Sequence, residues 1–454
     1  MDIFAVPVFE KFLLYSPLHH TSALIDLHAL QAIQNALISP RTYIPAQVSE
    51  LLSILRQPSE KEPHQRQGPI NNPFFLGLVT TRRCNLACRY CDFQNPGSNY
   101  QDMDLDLVRH AIQAYLRMAK EANIRQTEVH FFGGEPFFNE VAVHFAVECA
   151  ELLASFLDIR LRFEATTNGV FSKDRCHWIA KYFDTIVLSM DGSPDIQDAL
   201  RPAKNGRGAA NIVIENAKIL SENSCDLIIR SCVTSDTATR LPEIATWISR
   251  EFLPSAVCFE TLTPSNYSVS SGLVPPNPWE FACNFISAEV ILERSGIQAV
   301  LSTVELHKIR DSFCPVGKDA LIISPDGSID ACYLLEKDWQ IQNLDMHLGN
   351  LVSDHIILDP ESVQRVRSYN VHTKPLCKHC LCRYHCAGGC HINHPSQGQP
   401  GDYDDLCIQT RLITIARLLK GLNQLDLLGE WLVDEQSLRT TVLNRCDRIA
   451  DEKD

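Results

Sequence analysis

Between Phe74 and Leu262, six short runs rich in β-branched and aromatic residues alternate with stretches whose apolar residues recur at helical spacing. The runs are FFLGLVTT, TEVHFFGG, LRFEATTNG, DTIVLSMDG, DLIIRSCVT and AVCFETLT, and LDLVRHAIQAYLRMAKEA and GAANIVIENAKILSE are two of the helical stretches between them. Strands buried on both faces and joined through helices pair in parallel, because each crossover helix must cover a sheet face. Two α/β architectures satisfy this rule, a doubly wound sheet and a partial (β/α)6 TIM-like barrel. Both place chemistry at the C-terminal ends of the strands. The barrel is preferred, since a cysteine loop and three later polar motifs each follow a predicted strand.

At 454 residues the chain is longer than one core usually fills, so flanking modules are expected. Residues 1–57 contain FLLYS and TSALID around PLHH, a candidate hairpin, and then two helical stretches, LHALQAIQNALIS and PAQVSELLSILRQ, which together make a small α+β element. Residues 58–73 are polar and proline-bearing, as a linker is. The barrel spans 74–262; residues 263–312 form a turn-rich connector and a helix near Glu280 to Arg294; a second cysteine field fills 313–410; helices complete 411–454.

A net charge of −14 repels phosphate backbones, which disfavours a nucleic-acid partner. No basic and apolar leader pattern and no apolar run of about 18 residues is present, so a cytoplasmic protein with no membrane partner is expected. In that compartment the eighteen cysteines are metal ligands or buried apolar residues rather than a disulfide framework.

The first predicted strand runs into TTRRCNLACRYC, where Cys84, Cys88 and Cys91 share one short loop. Three thiolates can hold three corners of one small cluster. A structural zinc site or a ferredoxin cluster would use four protein ligands, so one corner is left for a small molecule, unless a distant histidine completes a zinc site. This CxxxCxxC loop resembles that of the radical S-adenosylmethionine superfamily. The resemblance implies a [4Fe-4S] cluster that binds the amino and carboxylate groups of S-adenosylmethionine and cleaves it to a 5'-deoxyadenosyl radical. Tyr90 stands where the family often carries an aromatic against the adenine. In FFGGEP, the glycine pair Gly133 and Gly134 allows a close backbone approach to a ligand, and the resemblance gives Glu135 the methionine ammonium. TTNG and LSMDG close the third and fourth strands, and their Asn168, Ser189 and Asp191 are either cofactor ligands or caps of the next helix. Arg201 and Arg230 fall where related enzymes place arginines; a lone arginine on an apolar strand needs an anion, and Arg230 is the better candidate for the cofactor carboxylate, with a salt bridge to a barrel carboxylate as its alternative. GRGAAN follows no strand and lacks a third glycine, so it is not read as a phosphate loop.

In the second field, Cys314 is followed by twelve residues, Gly327, four residues and Cys332; then CKHCLCRYHCAGGC supplies Cys377, Cys380, Cys386 and Cys390, and Cys407 follows a loop. The order is similar to that of the SPASM module. The resemblance implies two auxiliary iron-sulfur clusters, one held by Cys377, Cys380, Cys386 and Cys407 and the other by Cys314, Cys332 and Cys390. The second set is one thiolate short, to be completed by His307, by another group or by substrate. Paired zinc sites are the competing reading, since CxxC is also zinc spacing. Cys382 is a spare thiol; His379, His385, His391 and His394 are solvated or support ligands; Cys149, Cys176, Cys225, Cys232, Cys258, Cys283 and Cys446 are expected to be packing residues.

Enzymes with this module act mostly on peptides or proteins. The resemblance therefore implies a maturase of a ribosomally made precursor peptide, supplied with electrons by a flavodoxin or ferredoxin. One branch, the anaerobic sulfatase maturases, makes formylglycine and carries an Asp directly after the cysteine matching Cys332; this chain has Tyr333 there, with Asp330 and Glu336 nearby. A non-catalytic zinc scaffold or electron carrier is the alternative of another class. The N-terminal element resembles a PqqD-like peptide-recognition element, whose exposed strand edge captures a leader peptide; a cap over the barrel's open end fits the same pattern.

Overall fold

A computed structural model of the chain describes residues 2–38, 46–91, 93, 101–394, 398–399 and 402–444. Cys446 lies outside the described residues.

All six predicted barrel strands form: β4 (Leu76–Thr81), β5 (Gln126–Gly133), β6 (Arg160–Thr167), β7 (Thr185–Ser189), β8 (Asp226–Val233) and β9 (Ala256–Thr261), after three strands of the N-terminal element. Their order in the sheet follows the chain without a reversal, and every neighbouring pair is parallel. A doubly wound sheet reverses at a switch point; a sequential order is that of a barrel wall, so the architecture is the partial barrel. Alternation along the strands sets the layers. Leu76, Leu78, Val129, Phe131, Ala165, Ile186, Leu188, Ile229 and Val257 are all at 1% exposure or less beneath the crossover helices. Gly77, His130 and Glu164, in register with one another, lie on the opposite face.

Two extensions of this sheet have no counterpart in the sequence pattern. β10 (Gln298–Val300) adds a seventh parallel strand beside β9, too short to show a period. At the other edge β11 (Leu321–Ile323) pairs in parallel with β4 and continues through β12 (Ser328–Asp330), β13 (His347–Val352) and β14 (His355–Leu358) as antiparallel neighbours. The second cysteine field is thereby built onto the barrel wall. Gly327, at φ +84° in the β11–β12 turn, occupies a left-handed position that explains the glycine between Cys314 and Cys332.

The N-terminal element has three strands, not the two expected. β1 (Phe4–Val8), β2 (Lys11–Ser16) and β3 (Thr21–Ile25) form an antiparallel sheet in that order, followed by helices Leu27–Ile38 and Ala46–Leu55. The first strand escapes sequence reading because Pro7 and the apolar run around it do not alternate with polar residues. Both sheet faces are buried: Phe4, Val6, Val8, Leu13 and Tyr15 join the main core, whereas Ile3 and Leu14 pack with Leu30, Ile33, Val48 and Leu52 of the helices. The segment read as a linker runs along the C-terminal module, where Arg383 donates to Glu62 (3.2 Å) and Arg367 donates to the Gly68 carbonyl (2.6 Å).

Candidate active site and cluster sites

The loop after β4 is fixed by its own backbone. Thr81 and Arg83 both donate to Asp102, while Ala87 N–H donates to the Pro202 carbonyl (2.8 Å) and Arg89 N–H to the Leu200 carbonyl (3.0 Å). Cys84 and Cys88 are buried and Cys91 partly so. Leu86 N–H and the Asn168 side-chain amide each donate to the Cys84 sulfur at 3.4 Å, as donors to a thiolate do. Burial pushes the thiols of Cys84 and Cys88 up to about 12, so both need a metal to ionise at neutral pH.

The two glycines of FFGGEP serve the loop itself rather than a ligand alone. A Cβ on Gly133 would stand 2.2 Å from the Thr81 carbonyl oxygen and one on Gly134 2.3 Å from that of Arg83. Gly134 N–H donates to Thr81 (3.0 Å) and Glu135 N–H to Arg83 (2.8 Å), tying the end of β5 to the cysteine loop. Glu135 is 2% exposed and accepts from Thr167 Oγ1 (2.7 Å), Asn168 N–H (2.7 Å) and Phe137 N–H (3.3 Å). Burial raises its carboxyl to about 7, against the opposing pull of these donors.

These groups open onto one cavity of about 320 Å³. Cys84, Cys88, Cys91, Tyr90, Gly133, Gly134, Glu135, Asn168, Ser189 and Arg230 all line it. Neither Asn168 nor Ser189 caps a helix; Ser172 and Ser193 hold the N-cap positions of the helices that follow. Asp191 does not line the cavity. It is fully buried behind the wall, where its carboxylate accepts from Arg201 (2.9 and 3.0 Å), Tyr90 OH (2.7 Å) and Cys232 N–H (2.9 Å). Arg201 also lies over the Tyr90 ring, 5.2 Å from its centroid. Arg201 is thus satisfied by Asp191, whereas the side chain of Arg230, exposed toward the cavity, makes no hydrogen bond or ion pair with the described residues. The salt bridge considered for Arg230 is absent among them, and its guanidinium is available to an anion. GRGAAN is closed to anions: Asp198 accepts from Ala209 and Ala210 N–H at the start of the following helix (2.7 and 2.8 Å).

Sequence reasoning missed Glu260, which lines the cavity from β9. Its Oε1 accepts from Ser302 N–H (3.1 Å) and the Cys258 thiol (3.3 Å). The available signal was the one used for Arg230, a charged residue near the C-terminal end of an apolar strand.

In the C-terminal module, Cys377, Cys380, Cys386 and Cys407 line a second cavity. Cys382 joins them there: it is 1% exposed and its thiol donates to Thr414 Oγ1 (3.4 Å). The neighbouring Cys382 side chain, opposed by burial and helped by the fully buried Arg411, holds the Cys380 thiol below its ordinary range. Arg411 Nη1 donates to the Cys380 sulfur at 3.4 Å. Cys314, Cys332 and Cys390 form a separate set whose charges act on one another. His307 is not with them; it lines a different cleft beside Arg417.

Zinc held by sulfur at about 2.3 Å places its ligand atoms about 3.8 Å apart. Among the described residues the only group of three or more ligand atoms all within 4.8 Å of one another is His394, Asp404 and Cys407. None of the three cysteine sets meets mononuclear spacing, while Cys84, Cys88 and Cys91 around one cavity and Cys377, Cys380, Cys386 and Cys407 around another suit a cluster. The residues therefore fit iron-sulfur clusters.

The Radical SAM superfamily model matches residues 78–247, and the SPASM model, an iron-sulfur cluster-binding domain, matches 314–381. The serine-type anaerobic sulfatase-maturating enzyme of Klebsiella aerogenes is 24% identical over 68% of this chain and 78% of its own. The cysteine-type enzyme of Clostridium perfringens is 24% identical over 68% and 85%. A solved structure of tagged anSMEcpe with bound AdoMet shares the fold, with TM-score 0.59 and 18% identity over 81% of this chain and 99% of that one. No described helix is long and apolar enough to cross a membrane. A barrel whose first loop gathers three cysteines, followed by a module with cluster-spaced cysteines, makes this chain a member of the radical SAM superfamily with a SPASM domain, a radical S-adenosylmethionine enzyme.

Proposed function

We propose that this enzyme modifies a ribosomally made precursor peptide at an unactivated C–H position, forming a cross-link or another C–H derivative. When bound, the cluster and S-adenosylmethionine supply a 5'-deoxyadenosyl radical that removes a substrate hydrogen atom. Cys84, Cys88 and Cys91 would hold that cluster. Glu135, with a lone pair left on Oε2, would accept from the cofactor ammonium, and the free guanidinium of Arg230 would take its carboxylate. Tyr90, held by Asp191, offers a ring to the adenine. Asn168 and Ser189 would bond the ribose. Cys377, Cys380, Cys386 and Cys407 would hold one auxiliary cluster and Cys314, Cys332 and Cys390 the other, in electron exchange with a flavodoxin or ferredoxin.

The observation that carries the peptide reading is the N-terminal sheet. β1 is occupied, since Thr441 donates to the Pro7 carbonyl (2.7 Å), and Tyr384 OH donates to Asp2 (2.5 Å), so the element is seated on the C-terminal module. β3 has a neighbour on one side only among the described residues. An unpaired strand edge beside two helices is a template for an extended peptide. The cap reading is less favoured, because these anchors touch no residue that lines the barrel cavity.

Kinship with sulfatase-maturating enzymes supports oxidation of a serine or cysteine as the second reading. The acids near Cys332 speak against it. Tyr333 is partly buried and packs against Gly77 and Phe132, Asp330 is paired with His347 (3.0 Å), and neither they nor Glu336 line the cavity.

Co-production with short peptides encoded beside the gene, followed by mass spectrometry in deuterated and ordinary water, tests the proposal. Alternate residues of an edge strand point their N–H outward, so one of Ser22→Pro and Ala23→Pro should abolish peptide modification while 5'-deoxyadenosine formation continues. Unmodified peptides, with a sulfatase-derived serine or cysteine peptide oxidised instead, would replace the first reading with the second.

A further inference from the structure

Lys374 is 4% exposed, and its ammonium has no carboxylate partner among the described residues. Its three bonds go to carbonyls: Gly388 (2.7 Å), His394 (3.0 Å) and Gly389 (3.4 Å). A buried cation solvated only by dipoles is costly unless an anion lies near. The segment that wraps it explains which anion. Gly388 and Gly389, at φ +77° and +65°, form the left-handed turn between Cys386 and Cys390, and a Cβ on Gly388 would stand 2.6 Å from Lys374 Cδ. The chain thus crosses from one thiolate set to the other over the Lys374 side chain. The charges felt at the ammonium come from both sets: Cys377 and Cys386 of the first, Cys390 and Cys314 of the second. Burial pulls its pKa down and these thiolates oppose that pull.

We infer that Lys374 is a shared counter-charge between the two auxiliary clusters, positioning the Cys386–Cys390 crossover and holding both clusters at higher reduction potential. The inference rests on the cluster assignment proposed for these cysteines. Each cluster gains negative charge on reduction, and a fixed cation in low dielectric stabilises the reduced form of both.

The test is a redox titration followed by electron paramagnetic resonance, on the full chain with Cys84→Ala, Cys88→Ala and Cys91→Ala to silence the first cluster. Lys374→Met should move both auxiliary signals to lower potential, and Lys374→Arg should leave them near the parent values. Unmoved signals in Lys374→Met, movement of one signal only, or an equal shift in Lys374→Arg would overturn the inference. If Lys374→Met takes up no auxiliary iron, iron per chain decides: retention in Lys374→Arg supports a requirement for charge, and equal loss in Lys374→Arg refutes it. Absence of two auxiliary signals in the parent would remove the cluster assignment and this inference together, whereas two signals that ignore Lys374 remove only the latter.

Discussion

The buried pair of Asp191 and Arg201 gives the most quantitative prediction. Asp191 is fully buried and holds Arg201 through two bonds of 2.9 and 3.0 Å, besides accepting from Tyr90 and Cys232. Arg201→Met removes both guanidinium bonds and leaves a dry carboxylate with two neutral donors, which costs about 3–5 kcal/mol. Asp191→Asn strands the guanidinium instead, at a comparable cost. Replacing both together removes both charges and leaves mainly imperfect neutral hydrogen bonds, so the double variant should lose only about 1–2 kcal/mol. Urea unfolding of the metal-free chain under argon, run as a double-mutant cycle, measures the coupling. Both single variants should also lower 5'-deoxyadenosine formation, because Asp191→Asn weakens the acceptor that holds Tyr90 OH and Arg201→Met removes the guanidinium over the Tyr90 ring. A double variant as unstable as the sum of the singles would refute the coupling of the two charges.

Three further outcomes follow from the same geometry. Glu135 carries a folded-state value of about 7, above the ordinary 4.5, so the folded metal-free chain holds more protons between these values. Its contribution to stability should therefore fall as pH rises through that window, by on the order of 3 kcal/mol, and Glu135→Gln should remove that share of the pH dependence seen in thermal scans, leaving the share of Asp330, which burial raises to about 6. Gly134→Ala places a Cβ 2.3 Å from the Arg83 carbonyl; the cysteine loop must move, and iron at the first cluster should drop with the auxiliary iron retained. Arg230→Met should raise the Kd for S-adenosylmethionine about tenfold or more, the loss of a charge-assisted bond of about 1.5–3 kcal/mol, as read by equilibrium dialysis.

The strands and the cysteine sets were legible because each rests on a local rule: buried parallel strands are continuous apolar runs, and ligand spacing reflects the reach of a loop. Long-range pairing was not. Nothing in Leu321–Ile323 announces that it will pair with β4, and three-residue β10 is too short to show a period. Asp191 illustrates a subtler gap. Its position after β7 marked it for the cavity or a helix cap, but a bond to Arg201, ten residues on, turned it behind the wall. Glu260 was overlooked although it carries the same signal as Arg230. Lys374 left no trace in the sequence, since its burial depends on how the CAGGC turn folds over it.

The most direct test of the central claim is electron paramagnetic resonance of the anaerobically reduced chain, with and without S-adenosylmethionine. Adding it should change the spectrum of the cluster held by Cys84, Cys88 and Cys91, and this change should be missing from the Cys84→Ala, Cys88→Ala, Cys91→Ala variant. A reduced cluster at these cysteines whose spectrum ignores S-adenosylmethionine would mean that its fourth iron is already occupied, and would contradict a site left open for the cofactor.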